Sequence, residues 1–173
     1  MTASQTRSAS ARDELVEKAM AVFQSYLEQL NLRKTPERFT VLREVYSMDD
    51  HFDMDALYLH MKRKNHRISR ATLYNTIEHL LACNLVTRHQ FGKSNAVYER
   101  SLTFRQHDHL ICQDCGKILE FCDPRVQQIQ TMMGDILGFD VASHSLNLFG
   151  KCRKLRESGS CPHATPENPV PLT

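Results

Sequence analysis

The stretch His107-Asp108-His109-Leu110-Ile111-Cys112-Gln113-Asp114-Cys115-Gly116 constrains this chain more than any other. Cys112 and Cys115 form a Cys-x-x-Cys-Gly knuckle, a spacing that lets two thiolates grip one ion from a tight turn, with Gly116 relieving the backbone. His107 and His109 are two apart on a stretch that reads as a strand. Period two places both imidazoles on one face and Asp108 on the other, so thiolates and imidazoles are presented in separate directions, as two sites. A lone Cys-x-x-Cys pair would suit redox chemistry or unrelated buried thiols equally well. Cys152 and Cys161 supply a second pair, and Cys112, Cys115, Cys152 and Cys161 together make the four thiolates of a closed tetrahedral zinc site.

The 173 residues suffice for one domain or two small ones. No run is long and apolar enough to span a membrane, and Met1 to Ala11 lacks the apolar core of a secretory signal. Six cysteines without such a signal imply a reducing, cytoplasmic setting in which thiols serve metals rather than disulfides. The net charge of +2 is too small to imply a nucleic-acid partner by itself, but its distribution is uneven. Residues 1–100 carry 15 Lys and Arg against 12 Asp and Glu, whereas residues 101–173 carry 7 against 8.

The N-terminal half reads as helices followed by a hairpin. Asp13 to Leu30 places Leu15, Ala19, Val22, Phe23, Tyr26, Leu27 and Leu30 on one stripe. Thr35-Pro36 opens a second helix, and Asp53 caps a third that ends in Lys62, Arg63 and Lys64. Ser69 caps a fourth, Arg70 to Cys83, with Leu73, Ile77, Leu80 and Leu81 inward and Ala71, Thr72, Asn75 and His79 outward. Short β runs at Leu85–His89 and Ala96–Glu99, joined by a loop containing Gly92, complete the order of a winged helix. The fourth helix is then the recognition helix, and Lys62, Arg63, Lys64, Arg67 and Arg70 are placed to hold phosphates. Charge alone would favour a solvated basic helix end; the helix order and the wing favour DNA.

Beyond a junction at residues 101–106 the pattern becomes β-α-β. Strands are expected at Phe104–Ile111, Lys117–Cys122 and Val141–Phe149, with a helix from Pro124 to Leu137 closed by Gly138. One helix on three strands has little core of its own, so a second copy is expected to share a face. The fold class is α+β: a disordered arm at 1–12, a winged-helix DNA-binding domain at 13–100, a hinge at 101–106, a small α/β dimerisation and metal-binding domain at 107–161, and a disordered, proline-containing tail at 162–173.

The winged helix, then His107 to Phe121, then Ser-His-Ser-Leu-Asn-Leu-Phe-Gly-Lys-Cys at 143–152, resembles the ferric uptake regulator family of bacterial repressors over roughly Leu32 to Cys161. The resemblance implies a structural zinc held by Cys112, Cys115, Cys152 and Cys161, the last spacing being longer here than in many members. It implies a regulatory metal held by His51, Glu99, His107, His109 and Glu120. One ion would tie two domains together and favour the closed dimer that sets its recognition helices to a palindromic operator. A third site in the family would use Gln106, Asp108, Gln127 and His144. Two of these are amides, weaker neutral ligands, so Asp108 and His144 are left with a weak or empty site. By the same resemblance Tyr74 contacts thymine, Asn75 stands where some members have arginine, and Arg33 enters the minor groove; Lys62, Lys64, Arg70 and Thr72, read from their places at the fourth helix, complete the expected DNA contacts. Cys122 shares a strand face with Glu120, though a small buried apolar role is the simpler expectation.

The function expected from the resemblance is a metal-dependent repressor of iron-uptake genes, not an enzyme, binding double-stranded operator DNA as a homodimer, with no membrane and no small organic substrate. Three imidazoles and two carboxylates suit Fe²⁺, with Mn²⁺ or Zn²⁺ substituting in vitro, while Zn²⁺ fills the thiolate site. Zinc-uptake and peroxide-sensing regulators are the alternatives within the family. Glu99 and Glu120 lean away from the peroxide branch, which tends to have aspartates there. A metalloenzyme using the histidine site is the alternative of another class, and no separate general base supports it.

Overall fold

The computed structural model describes residues 3–48, 51–91, 96–102 and 107–162, with side chains from residue 12 onward. The chain divides into two compact units, residues 1–103 and 104–173. None of the described helices is long and apolar enough to cross a membrane.

The first unit comprises α1 (Ala3–Gln29), α2 (Pro36–Ser47), α3 (Met54–Arg63), α4 (Arg70–Ala82), β1 (Val86–His89) and β2 (Val97–Arg100). This is the helix-then-hairpin order of a winged helix. Helix α1 begins well before Asp13, so the helix reaches into the stretch expected to be a disordered arm. Alanine- and polar-rich sequence has the propensity to extend a helix, and among the described side chains of α1, Ala19, Phe23 and Leu27 are fully buried. Val22 and Leu30, at the edges of the expected stripe, are largely exposed.

Three helices end alike. Asn31, Asn65 and Asn84 each adopt positive φ, at 53°, 60° and 56°. The next amide then reaches back into the helix: Leu32 N to Leu27 O at 2.8 Å, His66 N to Met61 O at 3.0 Å and Leu85 N to Leu80 O at 2.8 Å. Asparagine tolerates the left-handed cap that glycine usually supplies, so these are sequence-encoded stops. At the other ends, Asp53 Oδ1 accepts from Ala56 N at 2.7 Å and Ser69 Oγ accepts from Thr72 N at 3.0 Å. Thr35 occupies the expected N-cap of α2, but its side chain makes no capping hydrogen bond.

The core joins Phe23, Leu27, Val41, Leu42, Val45, Tyr46, Leu57, Met61, Leu73, Ile77, Leu80 and Leu85. The buried Tyr46 hydroxyl donates to Leu85 O at 2.9 Å, fixing α2 to the start of the hairpin. β1 and β2 pair antiparallel from Val86↔Arg100 to His89↔Val97. An isolated bridge between Phe52 and Tyr98 ties the α2–α3 connection to β2. Gly92 of the expected wing loop lies outside the described residues.

The second unit comprises β3 (Asp108–Cys112), β4 (Ile118–Phe121), α5 (Pro124–Leu137), β5 (Asn147–Gly150) and α6 (Arg153–Ser158). The sheet order is β4-β3-β5, with β3 antiparallel to β4 and parallel to β5. Residues 141–146, expected in the last strand, are not in a regular strand, and α6 was not expected. Gly138 closes α5 in the left-handed conformation, φ 74°. The chain then turns so closely that a Cβ on Gly134 would meet Phe139 O at 2.7 Å. Ile111, Cys112 and Cys115 are this unit's only buried apolar side chains among the described residues, while Ile129, Ile136, Leu137 and Phe139 are more than half exposed. The part of the tail from residue 163 lies outside the described residues.

Candidate metal centres and nucleic-acid interface

The bridge between Phe52 and Tyr98 places their sequence neighbours, His51 and Glu99, side by side. His51 Nε2 stands 3.0 Å from Glu99 Oε2. His89, from β1, holds the other oxygen, Oε1. Glu99 is only 7% exposed. Burial opposes its charged form, but the hydrogen bonds from His51 and His89 outweigh this and hold the carboxyl down at about 2. Sequence reasoning missed His89. Its signal was available, because Thr87 pairs with Glu99 across the hairpin and His89 lies two residues on, on the same face.

In the second unit His107 Nε2 and His109 Nε2 lie 3.2 Å apart, their rings nearly perpendicular at 78°. His109 is buried, and Glu120, its partner across the β3–β4 ladder, has a carboxylate oxygen 3.8 Å from His107 Nε2. With metal–ligand bonds of about 2.1 Å, two adjacent ligands at a right angle stand about 3 Å apart. The His51–Glu99 and His107–His109 pairs each have that spacing and offer only nitrogen and oxygen, so each fits a borderline divalent ion.

Of the four cysteines, the thiols of Cys112, Cys115 and Cys161 are drawn together from the β3–β4 turn and the segment after α6, while Cys152 is tied in through its backbone. Cys115 Sγ lies 3.5 Å from Cys161 Sγ and also hydrogen-bonds Cys112. Gly116 takes φ 70°, and its amide returns to Cys112 O at 2.8 Å, which is the knuckle geometry. Asp114 Oδ2 accepts from Cys152 N at 2.6 Å and so anchors the second cysteine pair to the first. Helix α6, capped by Gly159 at φ 70°, folds the intervening residues back and accounts for the long Cys152–Cys161 spacing. Burial first, and then hydrogen bonding to Cys161 and Cys112, pushes the Cys115 thiol up to about 11. A bound divalent cation deprotonates such a ligand outright.

Asp108 and His144, the third-site candidates, also meet. Asp108 is buried and its Oδ1 accepts from Leu146 N at 3.2 Å while facing His144 Nε2 at 3.3 Å. His144 Nδ1 contacts Gln130 Oε1 at 2.6 Å, and Gln130 Nε2 donates to Val141 O at 2.8 Å. The amide here is Gln130, whereas Gln127 is exposed and Gln106 lies outside the described residues. The group reads as a hydrogen-bonded strut between α5 and β3. Cys122, expected to be buried, is exposed just beyond β4.

On the DNA side, Tyr74 and Asn75 are exposed on α4 and Arg33 is exposed before α2. Thr72 and Asn75 line a groove of about 420 Å³ together with Thr35, Arg38, Arg67 and Ser69. Lys62 lies over the Tyr58 ring at 5.1 Å. Two expected phosphate contacts have partners inside the unit. Arg70 pairs with Asp55 at 2.6 Å and stacks on Tyr58, and Lys64 donates to Glu44 at 2.6 Å. Glu44 is buried and also meets His60 at 2.9 Å and His66 at 3.1 Å. His79, read as outward, is half-buried between Tyr26 and Arg38.

Residues 29–149 match the model of the ferric uptake regulator family. The chain is 33% identical over 132 residues to the ferric uptake regulation protein of Campylobacter jejuni, covering 75% of this chain and 83% of that protein. It is 28% identical over 134 residues to a peroxide-responsive repressor of Staphylococcus epidermidis, covering 78% and 88%. Among solved structures, the Helicobacter pylori ferric uptake regulator, described as having three functional metal-binding sites, aligns with a TM-score of 0.74 at 25% identity, over 84% of this chain and 96% of that one.

Proposed function

The chain belongs to the ferric uptake regulator family, and from that premise we propose that it is a cytoplasmic, metal-dependent transcriptional repressor that binds a palindromic operator as a homodimer, with Fe²⁺ as corepressor. The observation that carries the reading is the presence, in each unit, of an N/O ligand pair at the spacing of adjacent ligands: His51 with Glu99, and His107 with His109. One regulatory ion drawing on both pairs and on Glu120 would give its binding free energy only to the arrangement in which all five reach it. That is a population shift between arrangements of the DNA-binding units, not catalysis. The role is that of a regulator rather than an enzyme.

The four cysteines are proposed to hold structural zinc, which supplies folding free energy to a unit with few buried apolar residues. The exposed apolar residues of α5 and β5, among them Ile129, Ile136, Leu137 and Phe149, are proposed to be covered by the second copy. DNA is proposed to be read by Tyr74, Thr72 and Asn75, with Arg33 and Lys62 contacting the backbone or minor groove. Arg70 and Lys64, each also paired within the unit, are proposed as further phosphate contacts.

The five N/O ligands suit a five- or six-coordinate ion such as Fe²⁺ or Mn²⁺ better than four-coordinate zinc. The test is a reporter under the operator in cells starved separately of iron and of zinc, for the parent chain and for the His107→Ala/His109→Ala double variant. Release of the parent on iron starvation alone, with the double variant derepressed throughout yet retaining its zinc, is expected. Release on zinc starvation with iron replete overturns iron as the signal. A double variant that still responds to metal overturns the site.

A further inference from the structure

We propose that His89 is a positioning residue for the regulatory metal: its Nε2–H holds Glu99 Oε1, so that Glu99 presents Oε2 alone to the ion. The inference rests on Glu99 and His51 being ligands, as read above. It adds a residue that the site assignment did not contain.

The two oxygens of Glu99 are divided between two imidazoles. Oε2 faces His51 Nε2 at 3.0 Å, the spacing of two ligands on one ion, and Oε1 faces His89 Nε2. Oε1 lies within hydrogen-bond distance of His89 Nε2, and a buried carboxylate oxygen is satisfied by an N–H donor, so His89 is assigned the tautomer that donates from Nε2. A protonated nitrogen has no lone pair for a metal. Through this nitrogen His89 acts on Glu99 and not on the ion.

His89 is also held in place independently of any ion. Strand pairing puts it on the same face of the hairpin as Glu99. Its ring stacks on that of Phe91 with centroids 5.4 Å apart and planes 3° from parallel, and Phe91 is only 6% exposed. The His51 ring meets it edge-on at 6.2 Å. Without His89, Oε1 would be a buried acceptor with one donor fewer, and the carboxylate could rotate away or swing both oxygens toward the ion.

The test uses the full chain with its structural zinc retained and titrates Mn²⁺ into the parent and variants. His89→Ala is expected to weaken Mn²⁺ binding by about 10- to 100-fold, the usual effect of losing a partner of a metal ligand. His89→Gln places an amide N–H near the same point and is expected to recover most of the affinity. His89→Asn is too short and is expected not to. Zinc content and thermal melting check folding, and if His89→Ala does not fold, the Gln and Asn variants carry the comparison.

His89→Ala binding Mn²⁺ as tightly as the parent overturns the proposal. So does His89→Gln as weak as His89→Ala, which would make the imidazole itself a ligand. His51→Ala and Glu99→Gln keep the two readings distinguishable. If these lose Mn²⁺ binding while His89→Ala does not, only the role of His89 falls. If they bind as the parent does, the ligand assignment falls.

Discussion

Phe52 and Tyr98 exchange two backbone hydrogen bonds, Phe52 N to Tyr98 O at 3.0 Å and Tyr98 N to Phe52 O at 2.8 Å, and stack their rings with centroids 5.9 Å apart. A bridge of this kind aligns whatever residues flank it, and here it brings His51 against Glu99. The spacing of this proposed ligand pair is thus a consequence of a small aromatic bridge between a helix connection and a wing strand.

Phe52→Ala should therefore act on both stability and metal. Deleting a ring that is 3% exposed should cost about 3–5 kcal/mol, read from urea unfolding. Mn²⁺ affinity should fall although no ligand is changed. Phe52→Leu, which keeps the bridge and most of the volume, should retain most of both. Undiminished Mn²⁺ affinity in a folded Phe52→Ala protein would show that the bridge does not set the ligand spacing.

Removal of zinc should unfold the second unit more than the first. Cys112→Ser is expected to lose zinc, measured by elemental analysis, and to shift sedimentation toward monomer, while the helical signal of the first unit persists. Adding zinc to the metal-free protein should release protons, because a thiol pushed up to about 11 must ionise to ligate. Stoichiometric zinc in Cys112→Ser would remove the thiolate assignment.

Operator binding should separate three kinds of residue. Tyr74→Ala should lower the ratio of operator to random-sequence affinity. Lys62→Ala should weaken both alike and reduce the salt slope by about 1. Lys64→Ala should behave differently from Lys62→Ala, because it removes a donor from buried Glu44 and should lower the melting temperature. Identical behaviour of the two lysine variants would speak against that division.

Glu44 should make the first unit acid-sensitive. Burial raises its carboxyl, but Lys64, His60 and His66 outweigh that and hold it at about 2 against an ordinary 4.5. A depressed carboxylate contributes its stability in full above about pH 4.5 and loses it as pH falls toward 2. Glu44→Gln should cost about 2 kcal/mol at neutral pH and flatten the stability curve across that window. An unchanged acid limb would mean that other carboxylates dominate it.

Much of the fold is legible in the sequence. Apolar periodicity located the first five helices, because a packed face must recur at the helical period, and the cap residues Asp53, Ser69 and Gly138 set ends that the structure shows. The β-α-β order of the second unit followed from alternating runs and the Pro124 start. The expected strands exceed the observed ones because alternation continues past the last paired residue. Residues 141–146 are an example: they form no regular strand, although Leu146 O accepts from His109 N at 3.0 Å.

The sequence by itself determined the chemistry on offer: four cysteines in two pairs, His107 and His109 on one face, and the winged-helix order in which α4 is the proposed reading helix. These depend on residue type and on spacing within one element, which local geometry converts directly into a face. Only the tertiary structure decided which distant groups meet. Glu44, unremarked in sequence, gathers Lys64, His60 and His66, taking one expected phosphate contact inward. Gln130 rather than Gln127 reaches His144, and His89 takes the second oxygen of Glu99. Such pairings are set by strand register, by helix packing and by the cost of leaving a buried polar group without a partner, none of which has a period that a sequence can show.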